Sequence, residues 1–164
     1  MSLVELDDID RKILHTLQEN GRITNCELAK RVGLTTTPTM ERVKRMERDG
    51  IIKGYTTHIN AEAVGRGLTV FCLITLKVHQ FKMLEQFSNH VEALQEVLSC
   101  YHITGDTDFL LQLVVEDMKD YERFMREELS RLPGIQKIHT HIVLSNKKEN
   151  SNIPVIRTYE NSEI

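Results

Sequence analysis

The chain has 164 residues, 40% apolar and 27% charged, with no Trp and a formal net charge of −3. That balance suits a globular protein of one ordinary domain or two small ones, and it excludes a membrane-spanning helix: the longest apolar stretch, around Val70 to Ile74, is far short of the roughly 20 residues such a helix needs. Charge is divided along the chain, because residues 21–60 carry eight basic and four acidic side chains, a net of +4, which leaves −7 on the rest.

The first element is helical. Ile9, Ile13, Leu14 and Leu17 recur at three- and four-residue steps, Asp7 or Asp8 can cap the start, and Asn20-Gly21 ends it. A second helix begins at Thr24 or Asn25. Thr24 and Glu27 have capping-box spacing, Leu28, Ala29 and Val32 face inward, and Gly33 stops the helix. A third helix is predicted over about Pro38 to Asp49, with Pro38 in its first turn and Met40, Val43 and Met46 as its buried stripe. Ile51 to Thr57, around Lys53-Gly54, reads as a short β-ribbon, a candidate wing.

A domain change is expected near Gly65 and Gly67. It divides the chain into residues 1–60, a linker 61–68, a second domain 69–145 and a tail 146–164. Thr69 to Val78 is strand-like and Met83 to Leu94 helical. Val97 to Thr104 and Phe109 to Glu116 are strands around Gly105-Asp106-Thr107-Asp108. Met118 to Leu132 is a helix closed by Pro133-Gly134, and Ile135 to Leu144 is a last strand. The order βαββαβ is that of a ferredoxin-like domain. The fold class is therefore α+β, a winged helix-turn-helix followed by a ferredoxin-like domain. In the tail, Ile153, Val155 and Ile156 can add an edge strand.

Such a sheet carries helices on one face only. The first strand nevertheless offers apolar residues to both faces, Val70, Cys72, Ile74 and Leu76 to one and Phe71 and Leu73 to the other. Phe109, Leu111, Leu113 and Val115 alternate with Leu110 and Val114 in the same way. An open apolar face is costly, so a homodimer through the sheet is expected. The three cysteines, Cys26, Cys72 and Cys100, form no CxxC pair and read as buried reduced thiols.

Two short helices joined by a tight turn suit the DNA major groove, which admits one helix whose N-terminal residues reach base edges. Thr35, Thr36, Thr37 and Thr39 can present hydroxyls there. Arg42 and Arg45 can reach guanine edges or phosphates, and Lys44 a phosphate. The plainer alternative is a solvated charged helix with the intrahelical pairs Glu41–Arg45 and Glu41–Lys44. The three-helix order, the Gly33 turn and the ribbon favour DNA, with double-stranded DNA as partner.

These stretches also resemble the Lrp/AsnC (leucine-responsive, feast/famine) family of transcription regulators. The resemblance rests on Asp8-Ile9-Asp10-Arg11-Lys12-Ile13-Leu14, Leu17-Gln18-Glu19-Asn20-Gly21-Arg22 and Leu28 to Leu34. It continues through Pro38, Glu41-Arg42-Val43, Met46-Glu47 and Gly50-Ile51-Ile52-Lys53-Gly54-Tyr55. It implies an amino-acid-binding second domain and dimers that assemble into octamers. At Thr36 to Met40, where family members often have Ser-Pro-x-Pro-Cys, one proline of the pair is missing.

By spacing alone Gly105-Asp106-Thr107-Asp108 can be a plain hairpin turn. It can equally hold a carboxylate on backbone amides and an ammonium on Asp106 or Asp108. The resemblance implies that this loop, with Thr104, borders the effector site, together with Met118, His141 and Ile142. It implies an amino-acid effector, Leu or Met as first candidates, and no other cofactor. An Asp108→Ala variant is expected to lose the response while keeping its fold. His102, His139 and His141 complete no metal-ligand spacing and read as packed or interface histidines. With no nucleophile, phosphate loop or zinc signature the chain is not expected to be an enzyme. The alternatives are an architectural DNA-packing protein and a small ferredoxin-like enzyme. With no apolar targeting core in Met1 to Asp10, the expected location is the cytoplasm, at the nucleoid.

Overall fold

The computed structural model describes residues 5–77, 81–132 and 134–155. Val78, Pro133 and Ile156 therefore lie outside the described residues, as does the tail beyond 155. The chain divides into two compact units: one runs to His58 and is rejoined by the chain from Lys148, and the other is Ile59–Lys147.

The first unit is three helices: α1 (Asp8–Glu19), α2 (Asn25–Val32) and α3 (Thr36–Arg48). Asp7 caps α1 in a full capping box. Its carboxylate accepts from the Asp10 amide at 2.8 Å, and Asp10 accepts from the Asp7 amide at 3.3 Å. Thr24 caps α2 by accepting from the Glu27 amide at 3.2 Å. Gly33 adopts φ 75°, a left-handed conformation open to glycine, and this lets the Gly33 and Leu34 amides fold back onto Lys30 and Ala29 carbonyls. That turn sets the angle between α2 and α3. Ile13, Leu14, Leu28, Val32, Val43 and Met46 form the core. Met40 is only half-buried, because Thr39 takes the deeper place on the α3 stripe.

The expected ribbon does not pair: residues 51–60 form no strand. The Ile51 and Ile52 amides are instead taken by the Met46 carbonyl at the end of α3, at 2.9 and 3.1 Å. Nor do Ile153 and Val155 add an edge strand. The Gln18 side chain holds the Ile153 backbone from both sides, donating to its carbonyl at 3.0 Å and accepting from its amide at 2.6 Å, and Arg11 donates to the Val155 carbonyl at 3.2 Å. Val155 packs on the three-helix core. An amphipathic side-chain clamp on α1 thus substitutes for a strand ladder.

The second unit contains β1 (Leu68–Leu76), α4 (Phe81–Glu92), β2 (Val97–His102), β3 (Phe109–Val115), α5 (Met118–Glu127) and β4 (Ile135–Ile142). The sheet is antiparallel with order β2-β3-β1-β4. Val70, Cys72, Ile74 and Leu76 of β1 and Phe109, Leu111, Leu113 and Val115 of β3 are buried on one face, together with Phe87 and Val91 of α4 and Tyr121 and Phe124 of α5. The helix expected to reach Leu132 stops at Glu127 and tightens into a 3-10 turn over Leu129–Arg131. Leu132 is extended at ψ 132°, as a residue before proline prefers. Of the cysteines only Cys72 is buried, and Cys26 and Cys100 are exposed. Burial pushes the Cys72 thiol pKa up, while bonds to Tyr121 and Thr140 oppose that shift.

The opposite sheet face carries no helix of this unit. Phe71, Leu73, Leu110 and Val114 are half-buried there, and Tyr101 is 53% exposed. Leu73 stands across from Leu110 on one side and His139 on the other.

Candidate functional site

Helix α3 presents its first turn to solvent. Thr35, Thr36 and Thr37 are exposed, and the Thr35 hydroxyl makes no capping bond. Pro38 has no amide to satisfy, which leaves the Thr36 and Thr37 amides in the first turn at this positive helix end. Thr39 differs from the expectation. It is fully buried and its hydroxyl donates to the Thr35 carbonyl at 2.9 Å, because its place on the helix faces the core. Lys44 and Arg48 lie on the exposed face with Thr37.

Arg42 and Arg45 are not free on that face. Arg42 donates to Asp7 at 2.6 Å and to Asp10 at 2.9 Å, and Arg45 to Asp10 at 2.5 Å. The Asp7 carboxyl is held below its ordinary range, first by the Asp10 amide and then by Arg42, and Arg42 is raised in return. On the other flank of α3, Tyr55 donates to Glu47 at 2.9 Å, and burial together with Glu47 pushes its phenol up to about 12. Neither contact was read from the sequence, although an acid at residue 10, four before Leu14 on the apolar stripe, was a signal that it would be buried and paired.

In the second unit the loop between β2 and β3 leads with Thr104, Gly105 and Asp106 exposed, Gly105 at φ 117°. Asp108 is partly buried. Its carboxylate accepts from the Leu76 amide at 2.7 Å, and its own amide donates to the Ile74 carbonyl at 2.8 Å. Thr107 is half-buried, and the Asp106 carbonyl accepts from the Thr75 hydroxyl at 3.4 Å. Asp108 thus ties the loop to the end of β1. We therefore expect Asp108→Ala to cost roughly 1–3 kcal/mol by orphaning that amide. Asp108→Asn, which keeps an acceptor, should recover most of the loss in a denaturant titration.

The rest of the expected effector set does not meet this loop within one chain. Ile142 and His141 stand opposite Val70 and Phe71, and Met118 follows Val115, which stands opposite Leu68. The loop lies beyond Ile74, so strand rise separates it from Met118 by about 20 Å. Met118, His141 and Ile142 are exposed at the far end. A cavity of about 410 Å³ lies elsewhere, between α4 and β2, lined by Ser88, Val91, Glu92 and Cys100 among others. His139 and His141 share the open sheet face, whereas His102 stands opposite buried Phe109 on the other face with ring centroids 5.1 Å apart. Among the described residues no three potential ligands form a metal-binding group. No helix among them is long and apolar enough to cross a membrane.

Residues 6–53 match the winged helix-turn-helix DNA-binding family, and residues 69–153 match the Lrp/AsnC ligand binding domain. The chain belongs to the Lrp/AsnC family. This Lrp/AsnC regulator is 46% identical over 154 residues to the leucine-responsive regulatory proteins of Klebsiella pneumoniae and Escherichia coli, covering 94% of this chain and 93% of each relative. Among solved structures it resembles a transcriptional regulator of Neisseria meningitidis in complex with L-Met, with a TM-score of 0.88 and 37% identity over 92% of this chain and 97% of that one. It also resembles the AsnC of Escherichia coli, with a TM-score of 0.83 and 27% identity over 90% and 98%. As a member of this family it is a DNA-binding transcription regulator with a ligand-binding domain, not an enzyme.

Proposed function

We propose that this Lrp/AsnC regulator reads DNA with the first turn of α3 and senses an amino acid at the β2–β3 loop of a self-associated form. The exposed first turn of α3 carries the reading. Thr35, Thr36 and Thr37 offer hydroxyls, Thr36 and Thr37 offer amides, and Lys44 and Arg48 add cations on the same face. Phosphates favour such a helix end, and neighbouring hydroxyls can reach base edges. The DNA-binding domain is taken as residues 1–60 and the sensing domain as 69–145, joined by 61–68. DNA as target implies work at the nucleoid, in the cytoplasm.

The effector is an amino acid. Support comes from the L-Met complex of the Neisseria relative and from the leucine-responsive relatives, so Met and Leu are the first ligands to try. Gly105 and Asp106 would take its polar end. Met118, about 20 Å away along the sheet, and His141 and Ile142, about 10 and about 13 Å away by strand rise, would come from another chain. On this reading the sensing site is complete only on association, which links ligand binding to assembly. Dimers join through the open sheet face, and octamers build from dimers.

A mobility-shift titration against the protein's own upstream DNA at several salt concentrations tests the first part. Binding that weakens steeply with salt is expected, and Lys44→Ala should reduce the slope of log affinity against log salt by about 1. Binding without salt dependence overturns it. A thermal-shift screen of the twenty amino acids tests the second, and stabilisation that rises with ligand concentration identifies the effector.

A further inference from the structure

Among the described residues Asp10 is the one acidic side chain that is fully buried, and two arginines of another helix converge on it. A buried carboxylate needs paired cations, and here α3 supplies them from its flank. Asp7 adds a second carboxylate to Arg42, so two arginines meet two acids and the cluster is neutral. Arg42 keeps 27% and Arg45 38% of its side chain exposed, against 74% for Arg48. The Arg45 Nε is itself buried without a hydrogen-bond partner, so this guanidinium is held in place at a cost.

Cations free to meet phosphate set non-specific DNA affinity and its salt dependence, while specificity is the difference between right and wrong sites. We propose that Asp10, backed by Asp7, is a specificity-determining positioning residue that withholds Arg42 and Arg45 from DNA phosphates, leaving α3 to read with Thr35 to Thr37, Lys44 and Arg48. This rests on the assignment of α3 as the reading helix. The arginines lie within reach of solvent, and Asp7 still holds Arg42, so loss of Asp10 releases Arg45 and leaves Arg42 on one acid instead of two.

The full-length chain is titrated by mobility shift on its own upstream DNA and on random DNA of equal length, across several salt concentrations. A shallower slope in Lys44→Ala supports the α3 reading; an unchanged slope there sinks that reading, separately from the Asp10 comparison. Asp10→Asn is expected to steepen the random-DNA slope by about one unit, close to 0.9 per released cation, and to lower the ratio of specific to random affinity several-fold. Adding Arg42→Gln and Arg45→Gln to Asp10→Asn should return the slope to the parental value, which a merely structural role of Asp10 would not do. Asp8→Asn removes the same charge at the same exposed helix end without touching the arginines, and its slope should stay near parental. Asp7→Asn keeps the N-cap, because Asn caps as well as Asp, and should steepen the slope by less than about one unit. A slope in Asp10→Asn that is unchanged, shallower, matched by Asp8→Asn or not reversed by the arginine substitutions overturns the proposal. Where Asp10→Asn does not fold, Asp7→Asn decides by the same criterion against Asp8→Asn.

Discussion

A Leu73→Asp variant is expected to run as a monomer in size exclusion with light scattering, at concentrations where the parent is associated. Leu73 is central on the open sheet face, between Leu110 of β3 and His139 of β4. In a two-fold interface the same patch meets itself, so one substitution places a carboxylate on both sides. Like charges brought together at an interface cost several kcal/mol, and roughly 3 kcal/mol is about a hundredfold in affinity. The buried face keeps Val70, Cys72, Ile74 and Leu76, so the far-ultraviolet circular dichroism should be unchanged. A variant that remains associated would show that another surface joins the chains. Amino-acid stabilisation should vanish with association if the sensing site needs a second chain. A monomer that still binds the amino acid at parental affinity would place the whole site in one chain.

Met46→Ala should have the largest effect on stability. Met46 has no exposed surface and packs with Ile13, Leu14, Leu28, Val32 and Val43 in the small three-helix core. Truncating a buried methionine removes its apolar contacts and leaves a cavity, at roughly 2–5 kcal/mol. A core of this size has little stability in reserve, so much of it would be lost. The Met46 carbonyl also receives the Ile51 and Ile52 amides, so the segment after α3 depends on the same turn. Hydrogen exchange is the measurement to make: protection should fall across α1 to α3 while β1, β3 and β4 keep theirs. Equal loss in both units would mean that they unfold together.

Helices and strands were legible because their signals are local. The Ile9-Ile13-Leu14-Leu17 stripe, the Thr24 cap and the Gly33 stop each act within a few residues. The alternation of β1 and β3 assigned faces one residue at a time, and Leu73 and Leu111 lie on the faces their parity requires. The ribbon failed because a strand needs a partner, and the Ile51 and Ile52 amides found a helix carbonyl first. Thr39 was misread for a related reason. In composition it is one more threonine beside Thr35 to Thr37, but helical phase turns it into the core.

The charge count was misleading in the same way. Arg42 and Arg45 add two positive charges on paper, and the fold cancels them with Asp7 and Asp10, 32 to 35 residues earlier in the chain. Proximity across that distance depends on how α1 crosses α3, and no spacing in the chain records it.

What the amino-acid order determined by itself is the division of labour. A helix-turn-helix head is written in caps, stripes and a glycine stop, and a βαββαβ body in alternation and turns, since each depends on neighbours in the chain. Only the tertiary structure decided which charged groups remain available and which groups meet. It paired the arginines with buried acid, tied Asp108 to the Leu76 amide, and set the Gly105 loop and Met118 at opposite ends of one sheet. Those outcomes depend on packing between distant segments, where desolvation and strand register, not local propensity, set the energy.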